Sequence, residues 1–507
     1  MTCRMRQKLL DFVAQKGTLL EPDAADYLLR QPDPIDRLAG VIDGFQQVPL
    51  IITLQHVMEA EKIALNAAAR LASRERQFAI QPRTELSQPV PRLMVSPAAM
   101  ARHAEPAANY EEDLVVLRDI TGHSTCEGTL EDFSKYFLNR FKVLAGMLSQ
   151  RKELRGSVDI AKAKRLSRDV SIIGMVAGVR KTKNGHLMLD LEDETDKISV
   201  LLLASTPLAE APVVTDQVIG VVGSVNNKGL MVASSIVDPD IPVNHHCPRS
   251  ADNVSVAFLS DMHVGSKSFL DGRWESFRNW ISNGDELARS IKYVIVNGDL
   301  VDGIGVYPRQ DEDLAIDDIY EQYEFLEKLI SALPSHLRIV LLPGNHDAVR
   351  PAEPQPSLPE GIRKMFQSNV LFVGNPCTLR IHGVRILCYH GRSMDDLVSA
   401  ISSLSYSRPL EAMREMLRMR HLAPIYGGRT PIAPEAQDLL VIDEVPDIFM
   451  TGHVHGVGMG EYRGVTLINS SAWQSQTSYQ KMRNLEPVPG RVPIMNLSTG
   501  KATVKEF

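Results

Sequence analysis

The chain is 507 residues long, with 44% hydrophobic and 23% charged residues, the composition of an ordinary globular protein with room for two or three domains. Its net charge of −7 excludes a surface that binds nucleic acid everywhere, so any such contact is local. The five cysteines (Cys3, Cys126, Cys247, Cys377, Cys388) are odd in number and lack ligand spacing. They read as reduced thiols of a cytoplasmic protein, and no apolar run is long enough for a membrane span.

Apolar positions at helical spacing in 9–13, 24–29 and 51–65, punctuated by Gly17 and Gln31-Pro32-Asp33-Pro34, predict a small helical domain over 1–75. Arg4, Arg6 and Lys8 precede it, but no signal-peptide apolar region follows them. Nothing in this domain carries chemistry, and it reads as a docking or packing module. Pro82, Pro89, Pro91, Pro97 and Pro106 mark 76–110 as a Pro-, Ala- and Ser-rich linker.

The next domain, 111–250, opens with a predicted helix over 130–148, where Phe133, Phe137, Phe141 and Leu144 share a face. Five short strands follow, over 170–176, 186–191, 198–203, 218–225 and 230–237. Their turns include Lys183-Asn184-Gly185 and Asn226-Asn227-Lys228-Gly229. The pattern is similar to an OB-fold, a small barrel that binds single-stranded nucleic acid or packs against a partner protein. Between 168 and 240 there is no Phe, Tyr or Trp on which a base could stack, which favours the interface reading.

In the third domain, 251–507, five apolar runs each end in a metal-type ligand. The run 254–260 leads into Asp261-Met262-His263, and 293–296 into Asn297-Gly298-Asp299-Leu300-Val301-Asp302. The run 338–342 leads into Pro343-Gly344-Asn345-His346-Asp347, 385–389 into His390-Gly391, and 447–450 into Thr451-Gly452-His453-Val454-His455. Buried strands that stop at polar loops collect a site at one edge of an α/β sheet. Carboxylates, imidazoles and an amide, without cysteine, suit a pair of divalent cations such as Mn²⁺, with Mg²⁺, Fe²⁺ and Zn²⁺ as alternatives. The chemistry they point to is metal-assisted attack of water on a phosphate ester.

Each element alone is a common turn or a structural histidine; the ordered set of five is not. The series resembles the calcineurin-like metallophosphoesterase superfamily over about 252–500. That resemblance implies a C-terminal β-sandwich flanked by helices. It implies one metal on Asp261, His263, Asp299 and His455, and a second on Asp299, Asn345, His390 and His453, with Asp299 bridging. It also implies that His346 protonates the leaving oxygen, with Asp347 orienting it from behind. Asp302 reads as fixing its loop by backbone hydrogen bonds.

The order of helical module, linker, barrel and phosphoesterase resembles the small-subunit family of the archaeal family D DNA polymerases. So do the segments 471–482, which begins Ser471-Ala472-Trp473-Gln474, and 417–427. More distantly the chain resembles the accessory B-type subunits of eukaryotic replicative polymerases, which have lost metal ligands and act as scaffolds; here every ligand position is filled. The implied function is a 3′-to-5′ proofreading exonuclease acting on single-stranded 3′ ends. The implied partner is a large polymerase subunit in a heterodimer. A free-standing small-molecule metallophosphodiesterase and a non-catalytic scaffold are the alternatives. Arg408, Arg414, Arg418, Arg420 and Arg429 could meet a DNA backbone or form a solvated helix face.

Overall fold

The computed structural model describes residues 19–29, 38, 42, 51–52, 106–166, 168–482 and 485–507, in two compact units, 1–100 and 101–507. In the first unit, strands β1 (Leu19–Leu20) and β2 (Ile51–Ile52) pair in parallel, and helix α1 (Pro22–Leu28) follows β1. Ile51 and Ile52 were expected to open a helix; adjacent β-branched side chains favour the extended pairing instead. The rest of the helical expectation for 1–75, and most of 76–110, lies outside the described residues.

The second unit begins with strand β3 (Leu114–Arg118) and the long helix α2 (Leu130–Ser149). A capping box starts α2: Thr129 accepts from the Asp132 N–H, and the Asp132 carboxylate answers the Thr129 N–H. Its buried stripe is Tyr136, Arg140, Leu144 and Leu148, one residue every turn.

Strands β4 (Asp169–Lys181), β5 (Leu187–Glu192), β6 (Lys197–Leu202), β7 (Val218–Val225) and β8 (Leu230–Val237) close a barrel in the order β4-β5-β6-β8-β7. Strand β4 runs farther than its apolar run predicts, because it serves two neighbours. Its first half pairs with β7 and its second with β5, with a register shift between Val176 and Gly178. Ile172, Val176, Leu189, Val200, Val221 and Met231 fill the interior.

Two six-stranded sheets follow. The first contains β9 (Ser255–Leu259), β10 (Ile291–Asn297), β11 (Arg338–Leu342) and β12 (Val370–Phe372) in parallel. The second contains β13 (Cys377–Ile381), β14 (Val384–Cys388), β15 (Ile448–Thr451), β16 (Gly458–Tyr462) and β17 (Val465–Asn469), with β3 on its edge against β13. Strands β18 (Arg491–Asn496) and β19 (Ala502–Glu506) complete the first sheet beside β9.

Phe258, Ile295 and Val340 of the first sheet meet Leu379, Ile386, Ile448 and Ile468 of the second in one core. Helices α3 (Asp271–Asn283) and α4 (Ile319–Ser331) cover the outer face of the first sheet through Trp274, Phe277, Tyr323 and Leu326. Helix α5 (Pro409–Met419) covers the second through Met413, Met416 and Leu417. The result is a helix–sheet–sheet–helix sandwich with a five-stranded barrel, a mixed α/β architecture. Cys126, Cys247, Cys377 and Cys388 are free thiols. Among the described residues, no helix is long and apolar enough to cross a membrane.

Candidate metal centre

Strands β9, β10, β11, β14 and β15 all end at the same edge of the sandwich, and each releases its polar residues into a tight loop. The turns are severe. Asp261, His263, Asp299, His453 and His455 all carry positive φ, between 47° and 69°. Such left-handed backbone costs about 1–3 kcal/mol per non-glycine residue and gathers at functional sites. Two glycines that precede candidate ligands are sterically required: a Cβ on Gly298 would strike the His390 ring, and one on Gly344 would strike Asp299.

The loops bring together three overlapping groups of possible ligands, one of them His263, Asp302 and His346, and two of them match the expected metal sites. In one, Asp261, His263 and His455 offer atoms all within 4.8 Å of one another; in the other, Asp299, His390 and His453 do the same. His455 Nε2 lies 3.4 Å from Asp261 Oδ1, and His390 Nε2 lies 3.3 Å from Asp299 Oδ2. Asp299 also faces His263 Nε2 at 3.7 Å and so touches both clusters.

The imidazoles are aimed by hydrogen bonds at their far nitrogens. His390 Nδ1 donates to the Asn297 carbonyl at 3.0 Å, and His263 Nδ1 donates to Asp302 Oδ1 at 3.0 Å. With Nδ1 committed in this way, Nε2 of each ring points inward and becomes a metal ligand once it gives up any proton it carries. His263 Nε2 and His455 Nε2 converge to 3.0 Å. His390 Nε2 and Asn345 Oδ1 are buried without any hydrogen-bond partner. An orphaned buried acceptor such as Asn345 Oδ1 is expensive, and a cation is the group that would satisfy it.

Electrostatics agree with that fit. Burial alone would raise the Asp299 and Asp261 carboxyls, but the surrounding imidazoles outweigh it and hold both below the usual carboxylate range. Burial keeps the His263 imidazole neutral. Burial would also lower His390, yet the Asp299 and Asp261 carboxylates overcome it and hold that imidazole at about 10. The anionic cluster therefore collects a proton in the place where it would collect a cation.

Similarity to known proteins narrows the family. A family model for the B-type subunits of DNA polymerases alpha and epsilon matches residues 256–456. The DNA polymerase II small subunit of Archaeoglobus fulgidus is 46% identical over 387 residues, 75% of this chain and 78% of that one. That of Methanothermobacter thermautotrophicus is 44% identical over 401 residues, 77% of this chain and 82% of that one. The chain belongs to the archaeal DNA polymerase II small-subunit family.

In this small subunit the two carboxylates expected to play supporting parts have exchanged them. Asp347 does not reach the His346 ring. It is buried and accepts from the N–H groups of Gly344 and Leu300 and from the Tyr323 hydroxyl, tying its own loop to the loop after β10 and to helix α4. Burial, with Asp299 nearby, raises its carboxyl to about 6. The orienting work falls to Asp302, for which only backbone bonds were expected. Its carboxylate holds His263, Gln310 and Gln474, and its carbonyl accepts from His346 Nδ1 at 2.6 Å.

The segment after the histidine pair supplies residues that motif spacing missed. Gln474 joins Asp302 to the Ser266 hydroxyl, and Gln480 Nε2 meets His455 Nδ1 at 2.8 Å. The cue was there: glutamines at 474 and 480 recur in a segment that follows the last ligand within twenty-five residues. Of the five arginines read as a DNA contact or a solvated helix face, two are neither solvated nor free for DNA. Arg418 pairs with Asp238 and Glu415, and buried Arg420 donates to the Ile442 and Asp443 carbonyls. Arg408 pairs with Glu411, Arg414 is exposed, and Arg429 lines a cavity of about 390 Å³ above the clusters.

Proposed function

We propose that this small subunit is a metal-dependent 3′-to-5′ exonuclease, the proofreading half of a two-subunit cytoplasmic DNA polymerase. The observation that carries the reading is the pair of inward-facing clusters with Asp299 facing both, His390 Nε2 aimed at Asp299, and Asn345 Oδ1 buried without a hydrogen-bond partner. Asp261, His263, Asp299 and His455 would hold one divalent cation, and Asp299, Asn345, His390 and His453 a second, Mn²⁺ being the first choice. When bound, such cations supply Lewis-acid polarisation of a phosphate ester and activation of water.

The chain's own residues account for the rest. His346 Nε2 faces the cavity while its Nδ1 is fixed on the Asp302 carbonyl, so Nε2 can hand a proton to the 3′ oxygen left on the shortened strand. Asp302 holds His263 and His346 in register. Asp347 keeps the loops bearing Asp299 and Asn345 together and excludes water beneath them. Domains over 1–75, 111–250 and 251–507, with a linker at 76–110, would give a docking module, an interface barrel and a phosphoesterase. A calcineurin-like sandwich is the fold on which this ligand order is expected. The large polymerase subunit is the proposed partner.

The test is Asp299→Asn in the purified full chain, assayed with Mn²⁺ on single-stranded DNA. Loss of nuclease activity with the thermal midpoint and circular dichroism retained is expected. Unchanged turnover would overturn the two-metal assignment.

A further inference from the structure

Above the clusters, the cavity wall is a poor place for a polyanion. Asp299, Asp302 and Asp395 all line it, against two cationic side chains among the described residues other than the histidines, Arg392 and Arg429. Both arginines sit on backbone that is tightly fixed. The Arg429 N–H and the Thr430 N–H donate to the two oxygens of Asp396, at 2.6 and 3.0 Å. Asp396 is 6% exposed, and Gly428 packs so closely on it that a side chain there would collide. Arg392 lies two residues after His390 and next to Ser393, whose N–H is held by the Tyr389 hydroxyl at 3.1 Å. One Arg392 nitrogen donates to the Pro351 carbonyl at 3.0 Å, leaving the other donors of its fork for a ligand. Tyr406 adds a hydroxyl beside Asp395 and Arg429 on the same wall.

Two guanidinium groups on rigid backbone beside a hydrolytic centre suit a phosphate other than the one being cleaved. The aromatic-free barrel makes such a grip more necessary, since it has no ring on which to stack the strand. We propose that Arg392 and Arg429 form a phosphate rim that grips the internucleotide phosphate next to the scissile one, so that the site selects oligonucleotides over small phosphodiesters. This rests on the exonuclease reading, with Tyr406 as the neighbouring polar contact.

The experiment compares the full chain with Arg392→Ala, Arg429→Ala, the double variant and Arg429→Lys. The probes are a short oligothymidylate and bis(p-nitrophenyl) phosphate, both with Mn²⁺. Each alanine variant should lower the ratio of oligonucleotide to small-diester kcat/KM about tenfold, the worth of one charge-assisted hydrogen bond, chiefly through KM. Arg429→Lys should recover part of it. Oligothymidylate binding, followed by anisotropy with Ca²⁺ in place of Mn²⁺, should lose about 0.7 from its log–log salt slope per arginine removed. Equal losses on both substrates, or an unaltered salt slope, would overturn the rim. If the wild-type chain hydrolyses neither probe, the exonuclease reading fails, and the salt slope still decides the rim.

Discussion

Asp302 and His346 show how much one side chain can decide at this site. Removing the Asp302 carboxylate frees His263, Gln310 and Gln474 together, whereas removing the His346 ring breaks one hydrogen bond to a backbone carbonyl and an edge-on contact with His263. Asp302→Ala is therefore expected to weaken Mn²⁺ binding about 10- to 100-fold, the usual effect of losing a carboxylate behind a ligating imidazole. His346→Ala should retain Mn²⁺ by elemental analysis and lose on the order of 10²–10⁴-fold in turnover, as for a general acid. Metal loss in His346→Ala equal to that in His455→Ala would reassign His346 as a ligand. The gathering of Asp261, Asp299, His390 and His455 at one edge was legible in the sequence, because each follows a buried strand within a few residues. The exchange of roles between Asp302 and Asp347 was not, because loop direction after a positive-φ residue such as Asp299 cannot be read from spacing.

At the scale of an element, helix α2 was legible from its period, but its buried polar anchor was not. The phenylalanines at 133, 137 and 141 are half-buried, while the fully buried stripe contains Arg140. Arg140 pairs with Asp438 at 2.7 Å and donates to the Pro424 carbonyl at 2.7 Å, partners almost three hundred residues away. His421 shares Asp438 at 2.9 Å. Burial, reinforced by the Arg140 charge, pushes the His421 imidazole down to about 4 from 6.5. Burial would raise Asp438, but His421 and Arg140 overcome it and hold it well below the usual carboxylate range. A group whose folded pKa is depressed gives its stability in full above its unfolded pKa and loses it as pH falls through the folded one. His421 should therefore cost stability from about pH 6.5 down to about 4, on the order of 3 kcal/mol in all. Asp438 acts in the same direction at lower pH. Urea unfolding at stepped pH should show His421→Gln with a flatter stability profile than the wild type in that window. Parallel profiles would mean that His421 is already charged in the folded chain.

For the whole molecule, the chain's architecture makes most sense as half of an assembly. The barrel's five strands were readable from alternation and turn residues, since one face of each strand is buried around a single interior. A docking surface for a separate chain was not readable, because an apolar patch on a protein surface leaves no periodic signal. Several large apolar side chains remain exposed in the second unit, among them Val115 and Leu117 on edge strand β3, Tyr426 and Val243. Obligate hetero-complexes commonly bury more than about 2,000 Å² of largely apolar surface, and exposed apolar groups on an isolated subunit favour self-association. Co-expression with the family D large subunit from the same genome is expected to give a stable 1:1 complex through gel filtration, whereas the chain alone should elute as mixed oligomers. The complex should extend a primer and remove a mismatched 3′ end. The complex carrying Asp299→Asn should extend the same primer at the wild-type rate and leave the mismatch in place, because the substitution removes charge at the cation site without touching the outer surface, where Asp299 is 2% exposed. Failure of the complex to form would favour a free-standing phosphodiesterase, and mismatch removal that survives Asp299→Asn would make this chain a non-catalytic scaffold.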